Sequence, residues 1–146
     1  MAGIATLPDA AAAEADGLEL RIAAHGAVLS VALANRTAGT LQAYFAAEGP
    51  TGRQHDFLTV SLGDGRATRL LHFAGERNSW TVGLVELKAG EEVVDAIDLL
   101  AWAADPVNDA EPLARGEYAL TATYRVAQPE AWSGSITAGP IRVVVA

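Results

Sequence analysis

The chain has 146 residues, 51% of them hydrophobic and none of them cysteine, and its formal net charge is −8. This length fits one domain, and the lack of cysteine excludes disulfides, thiolate metal sites and cysteine nucleophiles. The acidity, with one lysine and nine scattered arginines, argues against nucleic acids and anionic membrane surfaces as partners. No stretch approaches the length of an apolar transmembrane helix.

Residues 1–17 lack the basic start and continuous apolar core of a signal peptide. We therefore expect a flexible leader over 1–17, followed by one domain over 18–146. The cellular compartment is not predicted by the sequence. As written, the chain is expected to be cytoplasmic, and it would be periplasmic or secreted if its first residues replaced a signal peptide.

From Leu18 onward the sequence alternates between apolar and polar residues with period two. The first example runs over 18–22, and the same alternation recurs over 29–34, 41–46, 58–62 and 118–126. Successive side chains of a strand point to opposite faces, so this pattern predicts half-buried antiparallel strands. With turn signals between the runs, such as a tight hairpin at Asp64-Gly65, we expect eight or nine strands in an antiparallel β-sandwich.

One segment departs from this alternation. Apolar residues over 93–101 follow helix-like spacing, and Pro106 would end a helix. We expect a strand that begins near Glu92 and gives way to a short helical crossover near 98–104 between two sheets. Trp102, inside that crossover, is expected in the core.

The second half carries a motif order of "L-x-x-G-E" over 87–91, "D-L" at 98–99 and "G-x-Y-x-L" over 116–120. This order resembles bacterial immunoglobulin-like modules, in particular the N-terminal β-sandwich regions attached to deuterolysin-type metalloproteases. Residues 55–65 are similar to the "Y-D-F … D-G" segment of the small bacterial intracellular proteinase inhibitors. The resemblance implies an immunoglobulin-like sandwich in which Tyr118 ties the start of its strand to a nearby backbone group.

The sequence contains no recognisable metal-binding or catalytic motif. His25, His55 and His72 lack the close spacing of metal ligands, and we expect each to be a surface or half-buried residue at a strand edge. The flanks of Ser135 do not form a G-x-S-x-G motif, and no H-E-x-x-H occurs. The acidic loop 105–111 offers oxygens that suit calcium, although a solvated loop is the preferred interpretation. We predict no catalytic, metal or cofactor-binding residue.

Three aromatic residues are candidates for contact with a ligand or partner: Trp80, Trp132 and Tyr44. Trp80 and Trp132 fall near predicted loops, and Tyr44 falls on an outward strand face. Exposed aromatic rings stack on sugars or anchor protein partners. The preferred interpretation of the two tryptophans, however, is that they cover the ends of the sandwich.

The preferred functional hypothesis is a non-catalytic protein-interaction or accessory module, associated with a protease and binding an unidentified protein partner. One alternative is a carbohydrate-binding module that uses the exposed aromatics. A second alternative is an enzyme whose site is assembled from distant residues. Open sheet edges are compatible with a monomer or an edge-paired dimer.

Overall fold

The structure is a computed structural model that describes residues 3–49, 52–73 and 83–146, without the side chains of 47–49 and 52–54. The strands are β1 (Ala10–Ala15), β2 (Leu18–His25), β3 (Val28–Asn35), β4 (Leu41–Tyr44), β5 (Ala47–Gly49), β6 (Gly52–Gln54), β7 (Leu58–Gly63), β8 (Thr68–Leu71), β9 (Leu84–Leu87), β10 (Glu92–Asp98), β11 (Gly116–Val126) and β12 (Gly134–Val145). One α-helix, α1 (Leu99–Ala104), and two 3-10 turns (Ile4–Thr6 and Pro106–Asn108) complete the described elements.

The described strands form two four-stranded antiparallel sheets. The first sheet has the order β1-β2-β3-β10, the second has the order β12-β11-β7-β8, and β4–β9 and β5–β6 form two further pairs. The prediction of an all-β sandwich is confirmed. The expected number of strands was too low, since the described residues alone form twelve strands, several of them only three or four residues long.

Period-two alternation explains the core between the two sheets. Leu18, Leu20 and Ile22 of β2 are at most 2% exposed, whereas the residues between them are half-buried. Val60 and Leu62 of β7 belong to the same buried cluster as these residues. Removing a leucine-sized side chain from water stabilises a fold by roughly 1.5–3 kcal/mol, so the inner faces of both sheets hold the sandwich together.

Strand β1 corrects the prediction of a flexible leader over 1–17. Ala10–Ala15 pairs antiparallel with β2, from Ala10 opposite Ala23 to Ala15 opposite Leu18. Every second residue of β1 is half-buried, and Ala11, Ala13 and Ala15 pack against the core. Because five of the six residues are alanine, the inward and outward faces of this strand look alike in the sequence.

Helix α1 confirms the predicted crossover, which leaves the first sheet after β10 and precedes β11 of the second. The carboxylate of Asp98 accepts hydrogen bonds from the backbone N–H groups of Leu100 and Ala101, as an N-cap residue does. Trp102 is buried, as expected. None of the helices in the described residues is long and apolar enough to cross a membrane.

The predicted hairpin at Asp64-Gly65 is confirmed between β7 and β8. The Asp64 carboxylate accepts hydrogen bonds from the N–H groups of Arg66 (2.8 Å) and Ala67 (3.0 Å), and these bonds lower the pKa of Asp64. Gly65 has φ +95°, which side chains of L residues disfavour. Asp64 therefore stabilises the turn through its carboxylate, and Gly65 supplies the positive φ that the turn requires.

The predicted anchor at the start of β11 is also present. The Tyr118 hydroxyl donates a hydrogen bond of 2.6 Å to the carbonyl oxygen of Ala114, four residues upstream. This bond joins the loop before β11 to the strand itself. It has the form that a tyrosine corner takes in sandwiches.

A β-bulge keeps the long strand β12 in phase with the core. Leu120 of β11 lies opposite Ile141 and Ala122 lies opposite Ala138, so Gly139 and Pro140 both lie opposite one residue of β11. The extra residue shifts the alternation by one position. As a result, the apolar residues on both sides of the bulge face inward.

Candidate functional site

The structure buries two of the three aromatic candidates. Tyr44 is 7% exposed and Trp132 is 8% exposed, whereas Trp80 lies outside the described residues. The expectation that Tyr44 faces outward was therefore wrong, whereas the burial of Trp132 agrees with the interpretation that the tryptophans cover the sandwich. Both residues meet at Tyr124, whose hydroxyl donates to the carbonyl oxygen of Tyr44 and whose ring centroid lies 5.7 Å from that of Trp132.

Polar contacts fix both rings at one end of the sandwich. The indole N–H of Trp132 donates to the carbonyl oxygen of Ala15 at 3.2 Å, which joins the segment before β12 to the end of β1. The Tyr44 hydroxyl donates to Glu130 Oε1 at 2.5 Å. This hydrogen bond raises the pKa of Tyr44 and lowers the pKa of Glu130.

Burial also bears on the carbohydrate hypothesis, because a sugar needs an exposed ring face on which to stack. In the described residues, the rings of Tyr44 and Trp132 cover other aromatic rings instead: Phe57 lies 4.8 Å from Tyr44 between ring centroids. Contact of Tyr44, Trp132 or Trp80 with a ligand stays a prediction.

The histidines lie in two kinds of environment. His25 and His72 are exposed, as expected for surface residues. His55, in contrast, is only 5% exposed, and its Nε2 lies 2.6 Å from Oδ2 of Asp95. The expectation of a surface or half-buried position was wrong for His55, since it pairs with an acid forty residues away in the chain.

Sequence reasoning missed Asp95, although a signal was present. Asp95 alternates in phase with Val93 and Ile97, so as a strand residue it belongs to the inward face of β10. The helix-like spacing over 93–101 obscured this position. An acid on the apolar face of a strand needs a partner, because an unpaired buried carboxylate is costly.

The surroundings of the His55–Asp95 pair are aromatic. The His55 ring meets Phe45 edge-on, with 5.3 Å between centroids, and lies 6.4 Å from the ring of Trp102. The adjoining cavity has a volume of about 10 Å³, which is roughly the space of one water molecule. The pair therefore connects the segment before β7 with β10 inside the sandwich, and this cavity is too small for a substrate.

The acidic loop 105–111 is organised by its own hydrogen bonds. The Asp105 carboxylate accepts from the N–H of Val107 at 2.9 Å and caps the 3-10 turn Pro106–Asn108. Asp109 and Ala110 follow with φ of +68° and +47°. Among the described residues, no group of three or more histidine or acidic side chains could hold a metal ion.

Asn108 is the buried residue of this loop, with 3% exposure, and its role was not predicted from the sequence. Its Nδ2 donates to the carbonyl oxygens of His72 and Trp102, both at 2.9 Å. Its Oδ1 accepts from the N–H of His72, also at 2.9 Å. One amide side chain thus joins the crossover helix to the residue that follows edge strand β8.

The outer face of the first sheet is built from small residues. Its two central rows across the four strands are Ala12–Arg21–Ala32–Val94 and Ala10–Ala23–Ser30–Ala96. We call these eight residues the alanine face. Val94 is 49% exposed, and Val28, on the same side of β3, is 41% exposed.

Charged side chains border the alanine face along one row. Glu14, Glu19 and Glu92 flank Ala34 in this row. Arg21 forms ion pairs with Glu92 and, at 3.7 Å, with Glu19. All residues of the alanine face except Ala96, together with Glu92 of the border, line a shallow depression of about 580 Å³.

The outer face of the second sheet has a different chemistry. It carries mainly hydroxyl and charged side chains, and two exposed large apolar ones, Leu70 and Val144. The hydroxyl and charged residues include Thr59, Ser61, Thr121, Thr123, Arg125, Ser135 and Thr137. Thr123 and Thr137 face each other across β11 and β12, with 3.2 Å between their Oγ1 atoms. A polar outer face is what an antiparallel sheet in water usually presents.

Comparisons of the chain with protein-family models, curated proteins and solved structures gave no match.

Proposed function

We propose that the chain is a non-catalytic protein-interaction module with an immunoglobulin-like β-sandwich fold, and that the alanine face contacts its partner. The observation that supports this proposal is the difference between the two outer faces. The second sheet turns mainly hydroxyl and charged residues to water, with Leu70 and Val144 as its exposed large apolar side chains. The first sheet turns Ala10, Ala12 and Ala96 to water together with the exposed side chains of Val94 and Val28. By the resemblance of residues 87–120 to modules attached to proteases, we propose a protease-associated partner.

Alanine suits such a contact for two physical reasons. Its side chain has no rotamer entropy to lose on binding, and it lets a partner approach the sheet closely. The eight residues span four strands spaced about 4.8 Å apart and two rows about 6.6 Å apart, which is roughly 250 Å². With the exposed Val28 beside it, this surface approaches the size of the largest patches on monomers, about 300–600 Å², which are often functional.

A standard interface buries about 800 Å² per partner, so the alanine face supplies roughly a third of that area. The charged border of Glu14, Glu19 and Glu92 surrounds the small residues on one side. This arrangement resembles an interface with an apolar centre and a polar rim. We expect the charged border to set the orientation of the bound partner, and the alanines with Val94 to exclude water from the centre of the interface.

The test is affinity capture from the source organism with matched variants. Val94→Asp introduces a charge into the alanine face, and Thr137→Asp introduces the same charge on the exposed outer face of the second sheet. We expect a protein that the wild type and T137D recover and that V94D does not. Recovery of the same proteins by V94D would contradict the proposed surface, and turnover of substrates by the purified chain would contradict a non-catalytic role.

A further inference from the structure

Edge strand β8 has backbone groups that point away from its sheet. The N–H and the carbonyl oxygen of His72, directly after β8, both bond the side chain of Asn108 and not β7. Backbone groups alternate in direction along an antiparallel strand. Leu70 and Thr68 therefore point their N–H and carbonyl groups to the same side as His72, and β8 pairs with β7 alone among the described strands.

Asn108 occupies the place that a neighbouring strand would take. Its amide donates to the carbonyl of His72 and accepts from the N–H of the same residue, as a peptide group of a paired strand does. The chain thus fills the first pairing position of this edge with a side chain. The next positions, at Leu70 and Thr68, carry no hydrogen bond to another backbone group of the described residues.

A groove runs beside these open positions. It has a volume of about 570 Å³ and lies between β8 and residues 109–114. Leu70, which is 53% exposed, lies on one side, and Pro112 and Leu113 lie on the other. The groove therefore combines an unpaired strand edge with an apolar wall, the two features that bind extended peptides by strand addition.

The charges of the groove select among occupants. Asp64, Asp109 and Glu111 line it with exposed carboxylates. The single arginine in the lining, Arg69, donates from Nη2 to the carbonyl oxygens of Ala103 (2.9 Å) and Asn108 (2.7 Å). The groove is therefore acidic, and a basic segment complements it.

We infer that the open edge of β8 binds an extended segment of a partner protein in which basic side chains alternate with apolar ones. The backbone of the segment pairs with Leu70 and Thr68, and its basic side chains lie over Asp109 and Glu111. A second copy of this chain fits less well, because it has the same acidic groove and a net charge of −8. This inference goes beyond the proposed function, since it concerns a surface other than the alanine face.

The probe is a blocked hexapeptide that alternates lysine and valine, titrated into the full chain and followed by ¹⁵N NMR. We expect saturable binding with shifts at the amides of Thr68 and Leu70. A peptide with N-methyl groups on its edge-facing amides should bind about tenfold more weakly, because it cannot donate to the strand. Glutamate in place of lysine should abolish binding. Equal binding of the N-methylated peptide would overturn the inference, as would the absence of saturable binding.

Two variants locate the peptide on the protein. Leu70→Pro removes an N–H that points away from β7, at a position where edge strands tolerate proline, together with part of the apolar wall, and should weaken binding at least tenfold. Glu111→Lys tests the charge without touching the strand, and Thr137→Lys adds the same charge on β12, at the opposite edge of the same sheet. We expect weaker binding for E111K and wild-type binding for T137K. Loss of binding in V94D instead would place the peptide on the alanine face and overturn the inference about β8.

Discussion

Replacing Asn108 with alanine removes a buried amide that joins three parts of the molecule. The wild-type side chain makes three hydrogen bonds, two to His72 and one to Trp102, each 2.9 Å long. A hydrogen bond contributes about 1 kcal/mol net, and partners left unpaired in the interior cost about 1–3 kcal/mol each. Because His72 lies at an open edge where water can replace the lost amide, we take the low end of that range. We expect N108A to lower the free energy of unfolding by about 3 kcal/mol.

The isosteric variant Asn108→Asp tests the direction of the bonds. It keeps an acceptor for the N–H of His72 but loses both donors, and it places a carboxylate oxygen against two carbonyl oxygens. We expect N108D to be less stable than N108A at neutral pH. Its stability should recover at acid pH, since the protonated carboxyl can donate one hydrogen bond. The pKa of the new carboxyl is raised in the folded state, so protonation favours folding.

Urea unfolding at 25 °C measures these differences through the midpoint at constant slope. Glu111→Ala is the control, because this exposed neighbour should change the free energy of unfolding by less than about 0.5 kcal/mol. Losses below about 1 kcal/mol in both Asn108 variants would refute the reasoning, since a single exposed hydrogen bond would account for them.

Two further predictions concern pH and backbone conformation. The pKa of Glu130 is lowered in the folded state, so the ionised carboxylate stabilises the fold above pH 4.5, and this contribution is lost as the pH falls through the pKa of the folded state. The pKa of Tyr44 is raised in the folded state, so its neutral hydroxyl stabilises the fold below pH 10.0. The difference in free energy of unfolding between wild type and Glu130→Gln should therefore become smaller below pH 4.5. The same pH dependence of the free energy of unfolding for both proteins below pH 4.5 would contradict this. A Cβ at Gly139 (φ +116°) would lie 2.6 Å from the carbonyl oxygen of Leu120, whereas a Cβ at Gly26 would meet no atom within 4 Å. Gly139→Ala should therefore lower the free energy of unfolding by about 1–3 kcal/mol more than Gly26→Ala, as measured by thermal or urea unfolding. Equal losses would contradict the close approach at the bulge.

Local patterns were enough to predict the sheets and the crossover. Alternation over 18–22 and 118–126 identified the inward faces, since burial follows period two wherever one face meets water. The apolar spacing over 93–101, and Pro106 after it, indicated the short helix. The Asp64-Gly65 turn was predictable because its conformation depends on those residues themselves.

Features set by contacts between distant residues could not be predicted. Strand β1 was hidden by its alanines, which give neither face a distinct polarity. The pairing of His55 with Asp95 and the role of Asn108 depend on which segments the fold brings together, and neither has a local signature. Tyr44 illustrates the same limit, because the alternation in its segment suggested an outward ring, whereas its contact with Phe57 helps to bury it.

The most direct test of the proposed function is site-specific photo-crosslinking in cells of the source organism. A benzophenone amino acid placed at Val94 reports on the alanine face, and the same amino acid at Thr137 reports on the outer face of the second sheet. We predict a discrete adduct with another protein from position 94 and none from position 137. Adducts of equal yield from both positions, or no adduct from position 94, would contradict the assignment of the alanine face as the interaction surface.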